Sequence, residues 1–491
     1  MKKLSISGRF SLILVLVVWA VACSGVAVEQ GGGAESFSPS LSVAGGAVTT
    51  TATTAVATTP MTVTATITPT AVSTTTPQPV TPTTSLTPLP ATVVPTLGLA
   101  QTGCGVRLPL VIPSVAPATT GATTAVNPIW PQNLSIPDEV RPALTYLLTN
   151  PDDVGLVAYR VGQEEQGLYL NADTPMPLAS VVKLIHLVAY VEAVGNGRLD
   201  PSSWVPVADL EQYFLPGSDL RSHPRSLEEL TARGLVGQNP PAVPLEELPW
   251  MMMRYSSNAA TDYLHMLLGQ EVIEETAVRL NLTSQTAPCP FLGQFLLISN
   301  HTRMVDNSSA IQALIDDPAR YGQAVMDLTE AYSSSQQFRE EEGRWYQRSR
   351  RPTWQDQSLF SENLNAQGSA RDYANLMALI AQEQIGDPYA NFLARRYLEW
   401  PLDVYPVNRD LFHMVGYKNG SLPGILTTVY YASPRDQGGV VVVALFFRNL
   451  PETTYREWRR SLTHDDLARW LLTDPQAIGG LRQALAGDFG N

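Results

Sequence analysis

Residues 177–188, PLASVVKLIHLV, place one lysine, Lys183, in a run that is otherwise almost wholly apolar. A stretch apolar on every side becomes a buried helix, and a buried ammonium is unfavourable unless it is paired or gives up its proton. The pattern predicts a helix that starts at Ser180 and runs about four turns, to the glycines of EAVGNG (192–197). Lys183 follows Ser180 by three residues, which puts the amine beside the hydroxyl on one helix face. At a helix start, free N–H groups and the dipole favour a developing oxyanion. Val181, Val182, Leu184 and Ile185 would desolvate Lys183 and lower its pKa toward that of a useful base. This is the residue pattern of a serine nucleophile activated by a lysine. His186, on the same helix, reads as a core histidine hydrogen-bonded to backbone.

Lysine usage supports the reading. After Lys2 and Lys3 the chain holds only Lys183 and Lys418, and arginine supplies 28 of the 32 basic residues. Arginine cannot release its proton in a protein, whereas a desolvated lysine can act as a base. Two further short patterns follow. RYSSNAATDYL (254–264) holds Ser256 and Asn258 in S-x-N spacing within an expected helical region, where a hydroxyl and an amide can face one cleft. GYKNGSLPG (416–424) places Lys418, Asn419 and Gly420 on an expected strand. There a lysine beside a glycine offers a cation, and close backbone approach, to a carboxylate.

In order and spacing these three patterns resemble the S-x-x-K, S-D-N and K-T-G set of the serine β-lactamases and penicillin-binding D,D-peptidases, with the greatest likeness to class A β-lactamases. The resemblance spans roughly residues 138–475. It implies an α/β, β-lactamase-like fold: an antiparallel sheet flanked by helices, plus an all-helical subdomain. It also implies that Ser180 is the acylated nucleophile and Lys183 its base or proton relay. Ser256 would shuttle a proton to the leaving nitrogen and Asn258 would hold the substrate amide. Lys418, with Asn419 and Gly420, would receive a carboxylate, and the N–H groups of Ser180 and Ser421 would form the oxyanion hole. Ser257 stands where the family has Asp, and Asn419 where it has Thr. The class A glutamate of E-x-x-L-N is missing from its expected place in LNLTSQTAPCPFLGQFLL (280–297). ENLN, Glu362–Asn365, is one residue short and reads as an ordinary loop. Acylation with slow hydrolysis is the expectation. The alternatives are a penicillin-binding D,D-peptidase-like cell-wall enzyme and a non-catalytic binding or sensor lipoprotein.

Outside this region the chain changes character. Residues 1–23 carry a basic start, an apolar stretch of secretory-signal length and Ala22-Cys23. They resemble a bacterial lipobox, which implies lipidation of Cys23 and a membrane-anchored, extracytoplasmic protein; an ordinary cleaved signal or a single membrane anchor is the alternative reading. Residues 24–135 are rich in Thr, Pro and Ala, with only Glu35 and Arg107 charged between 31 and 137, and read as a disordered stalk. The hydrolase domain is expected over 136–491, with residues 297–362 a polar, irregular insertion or lid. Its last three strands (HMVGYKNGSL, ILTTVYYASP, GGVVVVALFFRN) are expected to be sequential and antiparallel. Cys104 and Cys289 could pair in an oxidising compartment, which sequence leaves open. The Cys and His residues lack metal-ligand spacing, so no metal or cofactor is expected. A formal net charge of −13 argues against nucleic-acid binding. The expected partner is a small-molecule or peptidoglycan-type substrate.

Overall fold

The computed structural model of the protein describes residues 103–108, 134–237, 239–298, 305–348 and 352–486. The signal segment, Cys23 and almost all of the expected stalk lie outside the described residues.

The main sheet has five strands: β1 (Val154–Arg160), β2 (Leu168–Leu170), β3 (Phe412–Leu422), β4 (Ile425–Pro434) and β5 (Val441–Phe447). Their spatial order is β2-β1-β5-β4-β3, and every pairing is antiparallel. The three sequential strands expected at the end of the chain are β3 to β5. Every residue of β4 and β5 is buried, so both faces of the sheet are covered; this is why those strands read as continuous β-branched and aromatic runs. β3 is an outer strand, and it carries Lys418 to Ser421.

The helices that frame the site, in chain order, are α1 (Arg141–Thr149), α2 (Lys183–Gly195), α3 (Ser222–Ala232), α4 (Glu247–Arg254), α5 (Asn258–Leu268) and α6 (Phe291–Leu297). They continue with α7 (Asn307–Ile315), α8 (Pro318–Ser334), α9 (Gln336–Arg348), α10 (Trp354–Leu364), α11 (Ala370–Ala381), α12 (Glu452–Ser461) and α13 (Thr463–Thr473). Both α11 and α13 pack on the sheet.

Four details differ from the sequence reading. The expected irregular insertion is helical: α7 to α10 occupy its described part and share a second apolar cluster with α6, built on Leu292, Leu296, Tyr321, Val325, Tyr332 and Phe360. Its apolar residues recur at helical spacing but are diluted by charge, which hid them. Gly293 lets α6 approach α8, because a Cβ there would stand 2.1 Å from the Val325 carbonyl oxygen. The helical region around Ser256 is interrupted: α4 ends at Arg254, Ser256 takes a left-handed φ of 62°, and Ser257 caps α5 by accepting from the Ala260 N–H at 3.2 Å. Third, residues 103–108, read as stalk, belong to the fold. Gly105 and Leu108 donate to the carbonyls of Ala287 and Gln285 (both 2.9 Å), and Cys104 forms a disulfide with Cys289 across a Cα separation of 4.9 Å. Finally, α13 is followed by a further helix, Ala477–Ala486.

Candidate active site

The turn that presents Ser180 is tight. Ala179 has a φ of 46°, and Ala179–Val182 form a short 3-10 helix leading into α2, whose first residue is Lys183. Residues three apart at such a helix start lie on one face, and Ser180 and Lys183 stand in that relation. Three contacts fix the turn. Leu178 N–H donates to the Ala366 carbonyl at 2.9 Å, Ala179 N–H to Asn365 Oδ1 at 2.8 Å, and Thr427 Oγ1 to the Leu178 carbonyl at 2.8 Å. Sheet and turn are thereby locked together.

Lys183 is fully buried. Its Nζ donates to Asn258 Oδ1 and the Ser256 carbonyl, both at 2.7 Å, and to Ser256 Oγ at 3.2 Å. The fourth side of the amine meets the Phe291 ring, 4.6 Å from its centroid. Burial pushes this ammonium down to about 7, against the opposing pull of Asp262 and Asp219. Lys418 Nζ lies 3.1 Å from the same Ser256 hydroxyl and donates to the Asn419 carbonyl at 2.6 Å. Burial, then the charge of Lys183, holds Lys418 well below the usual lysine range. One serine hydroxyl thus sits between two desolvated amines. At neutral pH that arrangement accepts a proton at Lys183 and can pass one through Ser256.

Ser180, Ser256, Asn258, Asn419, Gly420 and Ser421 line a single open cleft. All eight residues singled out around the three patterns therefore converge, with the two lysines beneath the cleft floor. A Cβ on Gly420 would stand 2.6 Å from the Ser180 amide nitrogen, so the glycine is what allows the strand and the Ser180 turn to touch.

A family model described as beta-lactamase enzyme family matches residues 140–465, a span that contains all eight. The chain belongs to the beta-lactamase enzyme family. Its fold is β-lactamase-like, an antiparallel sheet flanked by helices. No curated protein matches the sequence. Among solved structures, the chain is similar to a beta-lactamase from Sphaerobacter thermophilus, with 17% identity, covering 64% of this chain and 88% of that one at a TM-score of 0.40. It is also similar to PBP-A, with 14% identity, 69% and 99% coverage and a TM-score of 0.39. A beta lactamase from Burkholderia vietnamiensis gives 12% identity, 69% and 98% coverage and a TM-score of 0.40.

Several residues of the site were not singled out from sequence. Asp219 lines the cleft, and its Oδ2 accepts from the His223 N–H at 3.0 Å. The His223 ring, fully buried, lies 3.0 Å from Ser257 Oγ. A buried carboxylate and imidazole therefore surround the position where the β-lactamase family pattern has its own Asp. Asn365 does reach the Ser180 turn, whereas its neighbour Glu362, pushed up to about 7 by burial, lies 3.5 Å from Arg448 and does not line the cleft. His186 is a core histidine as expected, but its ring bonds another ring, His265 Nδ1 at 2.9 Å.

Asp262 was legible in principle, since it follows Asn258 by four residues and shares its helix face. Its oxygens accept from the N–H groups of Phe291 (2.8 Å) and Leu292 (2.6 Å), which caps α6 and presents Phe291 to Lys183. Burial pushes its carboxyl up to about 7. Asp262→Ala is expected to lower stability by about 2–4 kcal/mol, because two buried N–H groups lose their acceptor. Asp262→Asn, which can still accept one bond, should lose less. Urea denaturation followed by circular dichroism measures both.

Proposed function

We propose that this protein is an extracytoplasmic serine hydrolase, class A-like in its motif order, that forms an acyl-enzyme at Ser180 with β-lactams or related amide and ester substrates. The observation that carries this reading is the Ser256 hydroxyl held between Lys183 and Lys418 in the cleft of Ser180. Lys183 takes the Ser180 proton as Oγ attacks the carbonyl. Ser256 returns a proton to the leaving nitrogen, and the Ser180 and Ser421 N–H groups receive the oxyanion. Lys418 receives a substrate carboxylate, whose charge would restore the proton that burial removes.

Hydrolysis of the acyl-enzyme is the slow step. No glutamate lines the cleft among the described residues, and one side of Lys183 is covered by the Phe291 ring. Asp219, the one acid of the lining, accepts from the His223 N–H through Oδ2 and has no hydrogen-bond partner at Oδ1. The missing glutamate favours a second reading, a penicillin-binding D,D-peptidase-like enzyme. An anchor at Cys23 and a stalk reaching toward residue 102 would hold the domain outside the membrane. The Cys104–Cys289 disulfide supports an oxidising compartment.

The purified domain, mixed with a fluorescent penicillin and a chromogenic cephalosporin, separates these readings. Rapid colour indicates a β-lactamase. A persistent label absent from Ser180→Ala indicates a penicillin-binding enzyme, and neither signal overturns the acyl-enzyme proposal.

A further inference from the structure

One wall of the Ser180 cleft is a helix outside the three motifs. Tyr455 and Arg459 of α12 line the cleft together with Ser421 and Leu422. Buried aromatic contacts set the position of α12. Trp458 packs edge-on against Phe447 and Tyr146, with ring centroids 5.4 and 5.5 Å apart. Tyr455 meets the Trp354 ring at 5.2 Å. Phe447 is in register with Leu426, which is in register with Ser421. The helix is therefore fixed at the Ser421 end of β3, whereas Lys418 lies three residues back along the strand, roughly 10 Å away.

The two other arginines of α12 are already engaged. Arg456 pairs with Glu452 at 2.6 Å and Arg460 donates to the Arg456 carbonyl at 3.1 Å. Lys183 and Lys418 are buried and directed at Ser256. Arg459 is half-buried and has no hydrogen bond, ion pair or ring contact among the described residues. A guanidinium keeps its charge at every physiological pH and offers a rigid fork matched to a carboxylate. Across the cleft, Ser218, Leu220 and Ser222 are neutral. The one acid of the lining, Asp219, accepts from the His223 N–H through Oδ2, and no hydrogen bond joins its Oδ1 to Arg459 or to any other group among the described residues.

We propose that Arg459 is a specificity-determining residue that binds a substrate carboxylate at the Ser421–Leu422 end of the cleft, separate from the anion placed at Lys418. Preferred substrates are then acyl donors with two carboxylates, one at each end. This deepens the Ser180 acyl-enzyme reading and rests on it.

Two penicillins that differ by one side-chain carboxylate, benzylpenicillin and α-carboxybenzylpenicillin, test the proposal. Second-order rate constants for acylation of Ser180 are read by mass spectrometry on the wild type, Arg459→Gln and Arg459→Lys. The wild type should favour the dicarboxylate. Arg459→Gln should lose roughly tenfold or more of that preference, the range of a charge-assisted hydrogen bond, and Arg459→Lys should keep part of it. Because the readout is a ratio on one preparation, partial misfolding cancels. A ratio unchanged in Arg459→Gln overturns the role of Arg459 while leaving Ser180 acylation standing. Failure of both penicillins to acylate wild-type Ser180 overturns the acyl-enzyme reading, and this proposal with it.

Discussion

Lys183→Met is expected to slow acylation of Ser180 by about 10²–10⁴-fold, the usual range for loss of a positioned general base. Methionine keeps most of the side-chain volume in a fully buried site, so the loss would reflect the amine rather than a cavity. The pH dependence gives the sharper form of the prediction. Only the neutral amine can take the Ser180 proton, and burial places its titration at about 7. Wild-type acylation should therefore rise tenfold per pH unit below about 7 and level off above it. Lys183→Met should lose that inflection. Asp262 pulls the Lys183 pKa upward, so Asp262→Ala should move the inflection to lower pH while also destabilising the fold. Stopped-flow acylation with a reporter β-lactam across pH 5–9 measures all three. A wild-type profile flat through neutrality would remove Lys183 from the role of base.

How much of this could be read from the residues alone depends on the range of the interaction. Ser180 and Lys183 are three positions apart, so local geometry alone put them on one helix face. In the structure both meet the surroundings of Ser256, Ser180 in the same cleft and Lys183 by hydrogen bond. The strands also announced themselves, because β4 and β5 are buried throughout and their sequences are apolar throughout. Ser256 does line the cleft, but not from the helix that its sequence suggests. It belongs to a left-handed break between α4 and α5, not to a helix, and a Tyr-Ser-Ser run carries no glycine to mark such a break. Asp219, His223 and Arg459 were beyond reach for another reason. Each acts across long sequence separations, and the contact that gives it meaning (His223 to Ser257, α12 to the Ser421 end of β3) exists only once the chain has folded. Cys104 shows the same limit: it lies in low-complexity sequence, yet a strand-like bridge from Arg107 to Thr286 seats it beside Cys289.

Gly420→Ala should be nearly as damaging as loss of the lysine. Elsewhere in a strand this change would be mild or favourable, because alanine narrows the unfolded ensemble. Here the new methyl would stand 2.6 Å from both the Ser180 amide nitrogen and Thr427 Oγ1, and 2.9 Å from Ala179 Cβ. None of these can yield cheaply. The Ser180 turn is tied to Asn365 and Ala366, and Thr427 is tied to the Leu178 carbonyl. Strand β3 and the Ser180 turn must therefore separate, which withdraws the Ser180 N–H from any oxyanion shared with Ser421. Losing one such donor typically reduces the rate about 10²–10³-fold, and overpacking should lower stability by about 1–3 kcal/mol. Gly438→Ala is the control, since a Cβ at that position meets nothing within 4 Å, and it should leave both acylation and melting temperature unchanged. Gly420→Ala acylating at the wild-type rate would mean that the strand does not help form the oxyanion site, and the assignment of Ser421 would fall with it.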